Sequence, residues 1–519
     1  MKEQMKQWIK NLSGNLLWIA SAAMWGQSQF WRPEYYRRSV CLSVIAATVI
    51  AMWSGSILQK VRKASKATWI LAAVNTAGAV LFPIKYLEVD VWISVSASWF
   101  VFSLLVILYE YLKENLAGLC SDIEKKEWIV YGGVAFVYVA FLLFTYWKTQ
   151  AFYGTRHSGD IIYTADCMSL VSRNAYLQLM HHENDLRQPL FAVFATPFMG
   201  CGYLLSILLA SVPYVPGMCL AMPQMLVLLL TLFMLMRMMK MNQKNRIIFF
   251  IFIALMYPAI LFSIMMEQYV VAVFWAVFYL YSLVVKNKKD DVALIGASGS
   301  LLTSAALVVL CEETDKFDWK NYIIRMFEIA GKGVFAMLFF CRTDVIFTVF
   351  DKINSLKQFT GESVPVSERV LQYIYFVRSC FIAPEARPTW ELHEQLSWQM
   401  YRVEQISILG VLLIALAIMG LVISRKQLLT KICGFWILHS IVMLGILGWG
   451  TAENGLILYT YYYGWAFWML VYQCINYWLD KCKPQIKYAV WGIILLLLVI
   501  MNGKGFLEIL IFARTHYPA

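Results

Sequence analysis

Residues 128–147 read WIVYGGVAFVYVAFLLFTYW, twenty positions in a row without Asp, Glu, Lys or Arg. At about 1.5 Å of rise per residue, a helix of that length crosses a hydrocarbon core about 30 Å thick. A backbone placed there meets no water and must satisfy its own N–H and C=O groups, which a helix does within one segment. Ser39–Leu58, Val91–Leu112 and Ile406–Ser424 repeat the pattern with almost no charge. These runs are too long, and too free of alternation, for the strands of a membrane barrel. Over all 519 residues, 60% are apolar and 15% charged, whereas soluble chains have roughly half and roughly a quarter. The expected fold class is all-α: a polytopic transmembrane helical bundle of about 13–15 membrane segments, with interfacial helices in its first large outer loop.

Toward the N-terminus from this run lie Leu16–Phe30, Ser39–Leu58, Thr68–Ile84 and Val91–Leu112. Beyond it come Leu190–Leu209, Leu220–Met239, Ile247–Met265, Tyr269–Val285, Val292–Leu310, Val334–Phe350, Ile406–Ser424, Ile432–Gly448, Leu456–Trp478 and Tyr488–Phe512. The net charge of +12 does not signal nucleic acid, because the Lys and Arg residues sit in short clusters between apolar blocks. That is the topology signal of a membrane protein, with basic clusters on the cytoplasmic side. The clusters are Lys60-Arg62-Lys63-Lys66, Lys125-Lys126, Arg237-Lys240-Lys244-Arg246, Lys286-Lys288-Lys289, Arg425-Lys426-Lys431 and Lys481-Lys483-Lys487. With these inside, Met265–Gln268, Thr451–Gly455 and the large loops 148–188 and 351–404 fall outside. Parity then requires a re-entrant hairpin within Leu190–Met239 and another within Val292–Leu310. Pro213, Pro216, Gly296 and Gly299 are the expected break points, and such breaks persist only when buried in protein or facing a cavity.

The domain reading is an N-terminal accessory block over 1–127 and a core over 128–519 that carries both large loops. No internal repeat is visible. The 11 Cys residues lie mostly inside apolar runs and form no CxxC pair, so they read as packed thiols. Met1–Lys10 is basic, but no compact apolar core with a small-residue cleavage site follows, so no cleavable signal peptide is expected.

The chemistry-bearing stretch is Lys148–Leu190, which gathers Asp160, Asp166, Glu183, Asp185, His157, His181, His182, Arg156, Arg173 and Arg187. Within it Met168, Val171, Ala175 and Leu179 recur at helical spacing, as in an amphipathic helix lying at the membrane surface. A solvated loop with an interfacial anchor is one reading. A polar site roofing a cavity is the other, in which a carboxylate near apolar protein acts as general base and Arg or His holds a phosphate. His181 and His182 are adjacent and point apart, and no HxxxH or HExxH spacing occurs, so no zinc site is expected. No cofactor is required; a magnesium or manganese ion held by Asp160 and a phosphate is the open alternative.

Asp160-Ile-Ile-Tyr163, and the run His181-His182-Glu183-Asn184-Asp185-Leu186-Arg187-Gln188-Pro189-Leu190-Phe191, resemble the first outer loop of the polytopic GT-C glycosyltransferases. The resemblance covers roughly Trp128 to the C-terminus. It implies a polyprenyl-phosphate sugar as donor, a glycan or lipid of the envelope as acceptor, and an inverting transfer at the extracytoplasmic face of the plasma membrane. Asp160 takes the place of the family's base. Glu267 matches the second acid at an outer helix end, and Glu453 is a further outer-end acid. Tyr163, His181, His182 and Arg187 become substrate-binding candidates, with Arg187 facing the leaving phosphate. Ile161 stands where the family often has an acid, and Arg187-Gln188 replaces a His, which keeps Asp166 open as the base.

Two other classes fit parts of the chain. A lipid-linked glycan flippase or transporter would use charges inside the membrane, and Arg342 and Asp344 fall within Val334–Phe350. A polysaccharide polymerase would use Arg-rich outer loops, and Arg369, Arg378, Arg387 and Arg402 sit in or beside the second loop. Glu312–Lys332, with an apolar face of Trp319, Tyr322, Ile323, Met326 and Phe327, reads as a surface helix inside the cell.

Overall fold

The computed structural model describes residues 2–28, 33–86, 89–153, 161–163, 165, 186–212, 215–311, 319–340, 342, 345–346, 348–357, 360–361, 363–392, 395–401, 403–451 and 455–519. The chain is an all-α, multi-pass bundle. Among the described residues nine helices are long and apolar enough to cross a membrane, or ten when one bent pair counts as a single span. It forms two compact units: Met1–Leu119 with Leu170–Pro223 and Asp291–Ile353, and Cys120–Ser169 with Gln224–Asp290 and Asn354–Ala519.

In the first unit, Lys66–Tyr86 packs along Phe191–Leu208 at a crossing built from two glycines. A Cβ on Gly78 would land on the carbonyl of Gly200, and one on Gly200 would sit 2.6 Å from the Asn75 carbonyl oxygen. Small residues let membrane helices approach this closely. The Cys201 N–H donates to Asn75 Oδ1 at 2.9 Å. Gly78→Ala should therefore destabilise the protein by about 1–3 kcal/mol through overpacking, read as an earlier midpoint in detergent-titrated unfolding. A midpoint equal to wild type would mean the helices do not cross at Gly78.

Val292–Leu310 is not one span. A helix Asp291–Ser300 gives way to a 3-10 helix, Leu302–Cys311. The break follows Gly299, whose carbonyl accepts the Leu190 N–H at 2.8 Å, while Leu302 N–H donates to the Arg187 carbonyl at 2.7 Å. The freed backbone groups thus find partners in the Leu186–Leu190 segment, which is what a break inside apolar protein requires. The division into an inner surface helix ending at Lys332 and a span starting at Val334 is corrected too. One helix covers Trp319–Phe339, and Gly331 and Gly333 do not interrupt it. Arg325 and Lys332 on this helix both bind the Asp291 carboxylate, which fixes it to the start of Asp291–Ser300.

The second unit has two chemically distinct ends. At one end Glu127, with a fully buried side chain, receives Arg246 through two hydrogen bonds of 2.9 Å. Nearby Lys487 donates to Asn245 Oδ1 at 2.9 Å and pairs with Asp480. This end gathers the basic clusters of helices Lys125–Lys148, Gln243–Ala254 and Pro484–His516. At the opposite end Gln150 N–H donates to Tyr517 O at 3.1 Å, and Trp398 packs tilted against Phe512 with ring centres 5.2 Å apart. The loop over 351–404 is largely ordered structure: a helix Val366–Ser379 and an antiparallel hairpin of Ala386–Leu392 with Gln395–Met400.

Ile247–Met265 is likewise two helices, Gln243–Ala254 and Tyr257–Ile264, bent by 64°. Pro258 explains the bend, since it has no N–H to give the Ala254 carbonyl and disfavours helix at the residue before it. The Tyr138 hydroxyl donates to that carbonyl at 2.6 Å instead. Asn502 donates to the Leu255 carbonyl at 2.7 Å, and Tyr257 N–H turns away to Phe381 O at 3.3 Å. Among the described residues this bend and the break at Gly299 remove two unbroken spans from those the hydropathy runs suggest, and Leu16–Ser28 and Ile408–Ile423 are helices of only 13 and 16 residues.

Candidate functional site

Glu267 lies where Tyr257–Ile264 ends and Gln268–Lys286 begins. Its side chain is the N-cap of the second helix and accepts the Gln268 N–H at 2.9 Å. A carboxylate is favoured there by the unpaired N–H groups and by the positive end of the helix dipole. Only 2% of the residue is exposed. Its own N–H donates to Gln224 Oε1 at 2.9 Å, and Gln224 Nε2 donates to the Met265 carbonyl at 2.7 Å. Gln224, 1% exposed, therefore clamps both sides of the junction. Tyr269, two residues on, stacks edge-on against Tyr459 at the start of helix Tyr459–Leu479. The other end of Gln268–Lys286 carries the Lys286 cluster, so Glu267 sits at the end away from the basic residues.

Tyr163 belongs to the same unit and is equally buried. Ile161–Tyr163 adds itself to the hairpin: Trp398 N–H donates to Ile161 O at 2.7 Å and Tyr163 N–H to Trp398 O at 2.9 Å. The Tyr163 hydroxyl is 2.9 Å from that of Tyr257, the first residue after the helix bend. Its backbone φ is +56°, a left-handed conformation that an aromatic residue adopts only when its surroundings impose it. Burial raises the Tyr163 phenol above its ordinary range, so it remains a neutral hydroxyl. The two large loops thus meet at one end of the second unit through described contacts.

Arg187 falls in the first unit, beside buried Gln188, with its carbonyl bonded to Leu302 N–H. Asp160, Asp166, His181, His182 and Glu453 lie outside the described residues, as does the amphipathic stretch Met168–Leu179. Arg342 is 3% exposed, and its N–H donates to the Met337 carbonyl at 2.7 Å; Asp344 is outside the described residues. Among the described residues no group of three or more His, Cys, Asp and Glu is placed to hold a metal. Sequence reading misses Gln224, Tyr257 and Asn502. The Tyr257-Pro258 pair is a visible signal for the bend, but an uncharged amide inside an apolar run carries none.

The fold and site define a polytopic helical membrane protein with a buried carboxylate at a helix junction. No protein family matches the chain, and neither a curated protein nor a solved structure matches it.

Proposed function

We propose that this protein is an inverting membrane glycosyltransferase of the GT-C type, acting at the extracytoplasmic face of the plasma membrane. The observation that carries the reading is the buried Glu267 junction at the end of the second unit opposite the basic clusters. A segment of the first large loop is pinned at that same end. In this reading a polyprenyl-phosphate sugar keeps its tail in the bilayer and its phosphate at the surface. Asp160, or Asp166, takes the proton of an acceptor hydroxyl. The acceptor oxygen bonds to the anomeric carbon as the bond from that carbon to the phosphate oxygen breaks, and polyprenyl phosphate leaves. The leaving phosphate calls for a fixed cation, which stabilises the transition state best in a dry site, and the family resemblance alone assigns that part to Arg187, His181 and His182. Glu267 is the second catalytic carboxylate, and Tyr163 and Glu453 contact the sugar or acceptor.

The test is the purified full-length chain in lipid nanodiscs, given polyprenyl-phosphate glucose, galactose, mannose or arabinose labelled in the sugar, with envelope lipids and glycans as acceptors. Label should leave the lipid donor and appear in the acceptor, with release of unlabelled polyprenyl phosphate. Intact donor throughout overturns the reading. Label moving across sealed vesicles without transfer would establish a transporter in its place.

A further inference from the structure

We propose that a cavity in the second large loop binds a neutral saccharide. The cavity, about 740 Å³, lies wholly within the second unit. Its walls are the last turns of helix Val366–Ser379, the start of the hairpin and the strand exit leading to Ser407. That volume is in the range of roughly 300–1,000 Å³ common for small-molecule sites. Six side chains carry its chemistry: Tyr375, Arg378, Glu385, Arg387, Tyr401 and Glu404.

Both guanidinium groups are stacked on tyrosine. Arg378 lies 4.9 Å from the Tyr375 ring centre and Arg387 lies 4.8 Å from that of Tyr401. A flat guanidinium held on a ring keeps its fork of N–H donors in a fixed plane. Tyr375 is buried, and its hydroxyl accepts the Glu385 N–H at 2.6 Å, which ties the helix end to the hairpin start. Glu385 also pairs with Arg378 at 3.4 Å, yet its side chain is 73% exposed and reachable from the cavity.

The mixture of charge selects the ligand. The described lining sets Arg378 and Arg387 beside Glu385 and Glu404, so a phosphate or a carboxylate would meet like charge in the two glutamates, whereas a group that both donates and accepts suits both signs. Charged walls equally disfavour a lipid chain. A sugar hydroxyl donates one hydrogen bond and accepts others. Neighbouring hydroxyls can therefore give protons to the two carboxylates and take them from the two guanidinium groups at once. The inference rests on the glycosyltransferase reading for its meaning, because it names the acceptor as a neutral glycan. Its test needs no turnover.

The experiment is saturation-transfer NMR on the full chain in nanodiscs, without donor. The probes are the methyl glycosides of glucose, galactose, mannose and N-acetylglucosamine, each run with and without inorganic phosphate. At least one glycoside should receive saturation in the presence of phosphate. Its affinity should fall about tenfold in Arg387→Ala and in Glu404→Ala, the expected loss when a hydrogen bond to a charged group is removed. Both residues are exposed, so the fold should survive, and Lys481→Ala at the basic end should bind like wild type. The proposal is overturned by absence of transfer to all four glycosides, by binding unchanged in both variants, or by displacement with phosphate, which would mark an anion site. Failed sugar binding with intact sugar transfer would place the acceptor elsewhere. Binding without transfer would leave a saccharide site and remove the enzyme.

Discussion

Asp160→Asn should lower sugar transfer by about 10²–10⁴-fold, the usual contribution of a positioned general base. The amide keeps the size of the carboxylate but cannot accept the proton that the acceptor hydroxyl must lose. Donor and acceptor binding should persist, so the loss should fall on kcat with KM nearly unchanged, the pattern of an interaction made only in the transition state. The residual rate should also lose the rise with pH that a carboxylate base imparts as it ionises. Three residues on, Tyr163 is bonded at its N–H and its hydroxyl and has a left-handed backbone. Asp166→Asn measured alongside decides between the two carboxylates. Full turnover in both single variants would remove a carboxylate base from this loop, whatever the protein's activity proves to be.

Hydropathy makes most of the bundle readable, because a span must be both long and apolar wherever its neighbours lie. Trp128–Trp147 falls inside helix Lys125–Lys148, and Val91–Leu112 inside Val91–Leu116. The bend near Leu255 leaves no mark in hydropathy, since both halves are apolar and only Pro258 betrays it. The Trp319–Phe339 helix is misdivided for the opposite reason: charge changes along it, but Asp291 receives Arg325 and Lys332, so charge does not end the helix. At the site, Glu267 is legible as an acid between two apolar runs. Its clamp is not, because Gln224 lies 43 residues upstream and only the tertiary fold brings it there. The same distinction divides the cavity of the second large loop. Tyr375 and Arg378 are three apart on one helix and face alike, whereas Arg387 and Tyr401 meet only after the hairpin closes.

Asn502→Leu, which keeps the number of side-chain heavy atoms, should cost about 3 kcal/mol of stability. Asn502 is fully buried and uses both ends of its amide. Its Nδ2 donates to Leu255 O at 2.7 Å and to Phe381 O at 3.0 Å, and its Oδ1 accepts Ala383 N–H at 2.9 Å. Phe381 O keeps a second donor in Tyr257 N–H. Leucine therefore strands two buried groups, the Leu255 carbonyl and the Ala383 amide, at roughly 1–3 kcal/mol each. Neither can turn to water inside the bundle. Asn502→Asp should be no better, because a carboxylate oxygen would then face the two carbonyls that the amide now serves. Since Tyr257 follows the bend and meets Tyr163, loosening this point should also weaken the attachment of the first large loop. Detergent-titrated unfolding reads the stability, and protease cutting after Arg156 or Arg173 reads the loop. A loss under about 0.5 kcal/mol, the scatter of neutral surface changes, would mean that Asn502 does not hold the bend.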